Sequence, residues 1–562
     1  MRYAVRVATR SPRVTHDVQG EAIQPASASH GNGGSPASAT RIAAIDIGSN
    51  SIRQIIADVS AEGVIRVVDE MKAAPRLGAG LQKSGVLGEE GITRAVETLT
   101  RMATLARQMG ATRVEAVATS AVRDAANARD FLARVKREAK LDVRVLDGEG
   151  EARLSFRSAL AHFDLGQART LVMDIGGGSL ELALSAEGIV EHLASLPLGA
   201  IRLTERYLAE PIARRDVKKL RSAARKMIRK EIRARDWRGA RVIGSGGTFT
   251  NLGDIHLARH GVAMARSVHG AVIPREELEH VLDMLVAMTA EERRTVPGLN
   301  PERADIIVAG LAVAAEVMAR IDARELLVSR YGIREGLLLE TARVVPTIAD
   351  PGEARERSVR EFAERCHYEP LHAQTVQRLA LGLFDALGER VGCIPEDRQI
   401  LSDAALLHDI GYHISYERHH KHSYHLILHA ELLGMSPTEQ VLVANVARYH
   451  RGAPPRKKHR NYGTLDRPLR QRIKRLAALL RVADGFDRGH VGSVGEIRVR
   501  RLQRAIRLTP VPTHGSAPVR LESWGASRKA RLLAELLDQP VEIVAPDGSV
   551  LSSDEVESLA AE

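Results

Sequence analysis

The chain has 562 residues, with 81 Lys and Arg against 70 Asp and Glu and a formal charge of +11 at pH 7. At roughly 100–200 residues per domain this is room for three or four domains, and 44% hydrophobic with 27% charged residues excludes a disordered or fibrous protein. Two cysteines, Cys366 and Cys393, are too few for a disulfide framework and suit a reducing, cytoplasmic setting.

The N-terminus is arginine-rich and has no apolar h-region, unlike a secretory signal. Residues 1–40, rich in Ser, Ala, Gly and Pro, read as a disordered tail. From Arg41 to about 345, short apolar strands alternate with helical stretches, as in an α/β protein. Strands are predicted at 42–47, 52–58, 114–118, 143–146, 170–175, 180–184, 241–244 and 325–329. Helices are predicted near 90–109, 125–139, 149–161, 275–289, 302–320 and 333–342. The most apolar stretch, 306–318, lies between Asp305 and Arg320 and falls short of the ~20 residues that cross a bilayer, so no membrane partner is expected.

A break is expected at 347–358 (TIADPGEARERS), with helical periodicity beyond it to about Phe486. From about Val494 the pattern becomes a small α+β unit. The basic surplus is local, since residues 451–507 hold 17 Lys and Arg against 4 Asp and Glu. A basic track of this kind calls for an anionic partner.

The α/β part repeats itself. AIDIGSNSIRQIIAD from Ala44 aligns without gaps on VMDIGGGSLELALS from Val172, pairing Asp46 with Asp174, Gly48 with Gly176, Ser51 with Ser179 and Arg53 with Glu181. Each copy reads strand, Asp-Ile-Gly, small-residue turn, strand. Glycine and serine let successive backbone N–H groups approach phosphate oxygens. The aspartate ending the first strand is placed to hold Mg²⁺, directly or through water. The spacing suggests two similar subdomains facing across a cleft.

These loops resemble the phosphate-1 and phosphate-2 motifs of the actin, sugar kinase and heat-shock ATPase superfamily. Within it, the wording is most similar to the exopolyphosphatase and guanosine pentaphosphate phosphohydrolase family. That pattern continues through ATSAVRDAAN (118–127), GEARLSF (150–156), LPLGAIRLTE (196–205), IGSGGTFTNL (243–252), PERADIIVAG (301–310) and SRYGIREGLL (329–338). The resemblance implies a duplicated actin-like (ribonuclease H-like) ATPase fold, with subdomains at 41–165 and 166–346. It assigns Glu151 as the base that activates water, and Asp174 and Glu181, supported by Asp46, as the Mg²⁺ carboxylates. Phosphate would be held by Gly48, Ser49, Asn50 and Arg53, by Arg123, and by Gly176, Gly177, Gly178 and Ser179. Gly246, Gly247 and Thr248 stand at the superfamily's adenosine loop. The chain departs from the family's paired glutamates at Gly150, the second being kept as Glu151.

The helical part carries His372, then LLHDIGYH (406–413), then LLRVADGFD (479–487). The order His372, His408-Asp409, Asp484 resembles the metal ligands of the HD phosphohydrolase superfamily. It implies an all-α HD-type domain at 358–492, ahead of the α+β unit at 493–562, with a site for Mn²⁺, Fe²⁺ or Mg²⁺. His422 and His450 are candidates for additional ligands or phosphate contacts. The basic segment lacks interleaved aromatics beyond Tyr462, which disfavours nucleic acid as the partner.

The resemblance implies hydrolysis of terminal phosphate from inorganic polyphosphate or from guanosine pentaphosphate, and a homodimer. The long basic extension favours polyphosphate. An actin-fold kinase is disfavoured by GEARLSF and by the lack of sugar-binding motifs; a non-catalytic sensor of polyphosphate or guanosine tetraphosphate is the remaining alternative.

Overall fold

The computed structural model describes residues 39–552, apart from 62, 166–168, 263–266, 345–350, 431, 433, 515–518 and 545–547. The expected tail lies outside the described residues up to 38.

The first sheet has strands β1 (Thr40–Ile47), β2 (Ile52–Val59), β3 (Ile65–Ala73), β4 (Arg113–Ala118) and β5 (Val143–Val145) in the order β3-β2-β1-β4-β5. The second has β6 (Thr170–Ile175), β7 (Leu180–Ala186), β8 (Ile189–Leu196), β9 (Arg241–Ser245), β10 (Val272–Pro274) and β11 (Glu325–Val328) in the order β10-β11-β9-β6-β7-β8. Leaving out β10, the two orders are the same. Each begins with antiparallel strands and continues into parallel ones. The register repeats as well, with Asp46 opposite Arg53 and Asp174 opposite Glu181. This is the duplicated actin-like, ribonuclease H-like fold. Its central strands are continuous apolar runs because helices cover both faces; every residue of β6 is buried.

Strands β3 and β8, absent from the sequence reading, lie at sheet edges. There IRVVDEMKA has no buried position and IVEHLASL only one, so their apolar signal is weak. The helices Ala200–Tyr207, Arg214–Glu231 and Gly247–Arg259 were also not predicted. The second is densely charged, and only Val217, Leu220, Ala224 and Ile228 mark its buried stripe.

The expected break at 347–358 is a helix in its second half. Helix Pro351–Arg365 starts on a proline, whose fixed φ suits a first helical turn, and continues through the good helix formers of EARER. Helices then dominate to Gly485. The C-terminal sheet follows, with β12 (Val494–Arg501), β13 (Ile506–Pro512), β14 (Val541–Val544) and β15 (Val550–Ser552) in sequence order, and two helices between β13 and β14.

One apolar core runs from Leu171 to Ile543, shared by the second sheet, the helical region and the C-terminal sheet. The first sheet has its own core from Ile45 to Leu141. Helix Ile333–Thr341 crosses back, packing Leu337, Leu338 and Leu339 against Ile42, Ala44 and Ile55. That crossing sets the segment 330–335 over the junction of the two sheets. Among the described residues no helix is long and apolar enough to cross a membrane.

Candidate active site

The two hairpin loops meet in one cavity. Gly48, Ser49, Asn50, Ser51 and Arg53 line it from the first sheet; Gly176, Gly177 and Ser179 line it from the second, along with Asp46, Glu151, Asp174 and Glu181. Each loop is closed by the same bond: Gly48 N–H donates to the Ser51 carbonyl (3.1 Å), and Gly176 N–H to the Ser179 carbonyl (3.0 Å). Residue size fixes how near the loops come to their surroundings. A Cβ on Gly177 would lie 2.8 Å from Ser49 Cβ, and one on Gly199 2.2 Å from the Gly178 carbonyl carbon. Gly178 lies against the Ser120 hydroxyl rather than in the cavity wall, and its carbonyl accepts from Arg202 Nε (2.8 Å).

Glu151 sits in the first turn of helix Gly148–His162, whose N-cap Asp147 accepts from Gly150 N–H (2.7 Å). Its side chain is buried and is hydrogen-bonded by Arg123 Nη1, which also donates to the Leu146 carbonyl (2.8 Å). Arg123, expected on phosphate, is thus engaged by the carboxylate of the expected base. Burial, then the neighbouring Glu181 carboxylate, push Glu151 well above the ordinary glutamate range, and Arg123 opposes them.

Asp174 Oδ2 accepts from Ser155 (3.1 Å) and Ser245 (2.7 Å), while Glu181 accepts from Ser195 (3.0 Å). Burial nonetheless raises both carboxylates, and it pushes Asp46 up to about 6 despite Arg53 and Arg334. Asp46 Oδ1 is buried without a hydrogen-bond partner. An orphaned carboxylate oxygen beside the three buried acids Glu151, Asp174 and Glu181 is what a hard, oxygen-seeking cation such as Mg²⁺ satisfies, so these residues fit that ion.

Several residues of this cavity had no individual role in the sequence reading. Arg303, Arg330, Arg334, Tyr331 and Glu335 line it from segments far along the chain; their motifs were recognised, but not which side chains turn inward. Gly246 and Gly247 are packing sites. A Cβ on Gly246 would lie 2.5 Å from Asp174 Oδ1, and one on Gly247 2.3 Å from Arg303 Nη1.

From the cavity, Arg53 and Arg303 lead into a groove along helix Gly247–Arg259, lined also by Lys72, Thr250, Asn251, Asp254, Ala258 and Asn300. Beyond that helix, Gly261 touches Thr464 of the basic segment, where a Cβ would lie 2.0 Å from the Thr464 carbonyl. Part of the segment is internal: Arg470 donates to the Gly463 and Leu465 carbonyls, Arg472 pairs with Asp397 and Arg475 donates to the Gly392 carbonyl. Arg456, Lys457, Lys458 and Arg460 are exposed.

His372, His408, Asp409 and Asp484 also converge. His372 Nε2 lies 3.2 Å from His408 Nε2, 3.6 Å from Asp409 Oδ2 and 3.7 Å from Asp484 Oδ1. Burial pushes His408 and His450 down, whereas hydrogen bonds donated by His372 to Asp487 and Asp409 carry it up to about 9 against its burial. His450 joins the cluster as expected. His422 does not; its place is taken by His419, which shares its helix face with Ser423, and Ser423 anchors that face to Gly411 N–H (2.9 Å).

Residues 55–344 match the Ppx/GppA phosphatase family, and residues 354–508 match Ppx/GppA phosphatase, domain III. Among solved structures, an exopolyphosphatase from Cytophaga hutchinsonii is 28% identical, covering 55% of this chain and 100% of its own, with a TM-score of 0.52. The Aquifex aeolicus Ppx/GppA family member is 30% identical, covering 54% of this chain and 98% of its own, with a TM-score of 0.48.

Proposed function

We propose that this chain, which belongs to the Ppx/GppA phosphatase family, hydrolyses the terminal phosphate of inorganic polyphosphate in the cavity between its two repeated loops. The observation that carries this reading is the buried Glu151, raised by its surroundings and facing two N–H-lined loops in one cavity. Cleaving a phosphoanhydride needs an aligned water, charge neutralisation and a proton acceptor. Water attacks the terminal phosphorus, its proton passes to a Glu151 oxygen, and the bond to the next phosphate breaks. Arg123 keeps the Glu151 carboxylate oriented. Backbone N–H groups of Gly48–Asn50 and Gly176–Ser179, with Arg53 and Arg303, stabilise charge on the phosphoryl oxygens. Asp46, Asp174 and Glu181 would hold Mg²⁺, which when bound supplies further neutralisation.

Polyphosphate is favoured over guanosine pentaphosphate by the groove. Helix Gly247–Arg259 has 13 residues, roughly 20 Å at the usual rise. It links the cavity at Gly247 with a segment carrying Arg456, Lys457, Lys458 and Arg460. Only a long anion uses that whole distance. Guanosine pentaphosphate is the alternative, and Asn251, Asp254 and Asn300 in the groove are polar groups able to meet a base.

The test is phosphate release from long-chain polyphosphate and from guanosine pentaphosphate. Glu151→Ala is expected to lose on the order of 10²–10⁴ in rate on the preferred substrate. Alanines at Arg456, Lys457, Lys458 and Arg460 are expected to raise KM for long chains, and less for short ones, at low salt. Full turnover in Glu151→Ala overturns the assignment, and equal effects on both chain lengths overturn the groove.

A further inference from the structure

We infer that the chain binds one divalent transition-metal ion of the zinc class at His256, His260 and Glu277, where the ion fastens helix Gly247–Arg259 to helix Arg275–Val286. The phosphate loops and the histidine cluster of the helical region contribute nothing to this site.

The sequence sets the three side chains on two facing helix ends. Helix Gly247–Arg259 buries Leu252, Ile255 and Leu257, and it lines the groove with Thr250, Asn251, Asp254 and Ala258. His256 and its C-cap residue His260 are four apart and so stand one above the other, about 140° round the helix from the groove residues. Helix Arg275–Val286 starts after Pro274 and turns Leu278, Val281, Leu282 and Leu285 into the core, which leaves Glu277 in its first turn beside the histidines. An acid at a helix start facing imidazoles at a helix end suits both dipoles. The dipoles account for the signs of these residues. They do not account for the state of the imidazole nitrogens.

His260 Nδ1 lies 2.8 Å from the His256 carbonyl. A carbonyl only accepts, so this Nδ1 carries the proton and Nε2 of the neutral ring presents a lone pair. His256 Nδ1 is buried and has no hydrogen-bond partner. Glu277 Oε1 is 3.7 Å from it, beyond hydrogen-bonding distance, and Arg259 Nε holds that oxygen at 2.9 Å. A buried polar nitrogen left in this way is destabilising. An ion between it and the carboxylate removes that cost. Two metal bonds of about 2.0–2.1 Å meeting at a tetrahedral ion span about 3.4 Å, near the separation seen. The two imidazole rings lie 4.3 Å apart between centroids. One potential ligand atom from each of the three residues falls within 4.8 Å of the other two, the span of one coordination sphere.

The donor set chooses the ion. Two imidazoles and a carboxylate suit Zn²⁺, with Co²⁺ as its substitute, and are a poor match for Mg²⁺, which takes oxygen. Three protein ligands leave a fourth position for water. Arg259 stays on Glu277 as the outer partner that orients a ligating carboxylate. Immediately beyond His260, Gly261 meets the Thr464 carbonyl. The ion therefore ties down the corner at which the groove helix reaches the basic segment. Because its ligands come from two helices of the folded chain, it stabilises the fold by mass action.

The experiment counts zinc on the full chain, stripped with chelator and then dialysed against a micromolar excess of Zn²⁺. The cleft and the histidine cluster of the helical region stay intact in every variant, so the difference from the parent is what is read. His260→Gln and Glu277→Gln should each carry one zinc fewer per chain than the parent. Glu276→Gln, the same change one residue earlier at an exposed position, should keep the parent's count. Zinc should also raise the melting temperature of the parent by more than that of either site variant, while melts in chelator confirm that each variant folds. The two site changes lie on different helices, so one reads the site if the other chain does not fold. A count equal to the parent's in either folded variant overturns the inference, as does an equal loss in Glu276→Gln.

Discussion

The cleft and the histidine cluster both bury carboxylates, and they treat the charge in opposite ways. In the cleft, Asp46, Glu151, Asp174 and Glu181 are all raised, because burial outweighs the serines and arginines around them. In the helical region burial also acts upward on Asp409 and Asp484, but His408 and the other imidazoles, with Lys529 on Asp484, hold both below the usual carboxylate range. One site leaves its carboxylates short of compensating positive charge. The other carries its own compensation. Each region has a basic side chain hydrogen-bonded to its key acid, Arg123 on Glu151 and Lys529 on Asp484, so removing each in turn tests the contrast.

The larger effect is expected at Lys529. Asp484 has a depressed folded pKa, so the stability it lends is fully present above the unfolded value of about 3.9 and is lost as pH falls through the folded one. Lys529→Ala removes the main opposing charge. In the presence of chelator at neutral pH, about 2 kcal/mol of stability should go, less than for a fully buried pair because Lys529 keeps some exposure. Thermal melts should show a constant deficit from pH 7 to pH 5, shrinking only at more acid pH. A deficit already fading by pH 5 would assign the effect to another group.

At Arg123 the sign reverses and the readout is rate. In the mechanism proposed above Glu151 works deprotonated, so kcat/KM should fall on the acid side of its pKa. Arg123 lowers that pKa, and Arg123→Ala should move the acid limb to higher pH by about one unit or more. The rate at pH 7 should drop about tenfold and recover as pH rises, with Arg123→Lys in between. A pH-independent loss would mean that Arg123 acts on substrate rather than through Glu151.

The two regions were unequally legible in the sequence. The hairpin loops were plain because their chemistry is local: strand, Asp, small residues and strand are consecutive, and the 128-residue repeat fixed their correspondence. The cleft's other wall was not. Arg330 and Arg334 reach it because helix Ile333–Thr341 crosses back to the first sheet, and Arg303 comes in from the separate turn Pro301–Arg303, both tertiary facts. In the helical region the quartet His372, His408, Asp409 and Asp484, singled out by residue type and order, does converge, yet the neighbour that joins it is His419 and not His422. Choosing among neighbouring histidines needs the phase of helix His419–His429, and HHKHSYH offers several phases. The basic track read as uniform because charge counts do not tell Arg472, paired with Asp397, from exposed Lys457.

The smallest predicted effect concerns Gly150, where the paired glutamates implied by the sequence resemblance would place a glutamate. Gly150 is the third residue after the N-cap Asp147, the position from which a glutamate reaches back to the cap N–H. Helix formers also exceed glycine by about 0.5–1 kcal/mol in such a turn. Against this, a Cβ at 150 would lie 2.9 Å from Asp147 Oδ1, a side-chain atom that can shift a little. Adjacent helical positions do not face each other, so a glutamate at 150 turns toward the cap and away from the Glu151 carboxylate. Gly150→Glu is therefore expected to stabilise the chain by less than about 1 kcal/mol in a thermal melt and to leave the acid limb of kcat/KM where it is. A limb displaced upward by a full unit would show instead that the glycine keeps a second negative charge away from the base, so that its role lies in the cleft's electrostatics and not in the helix start.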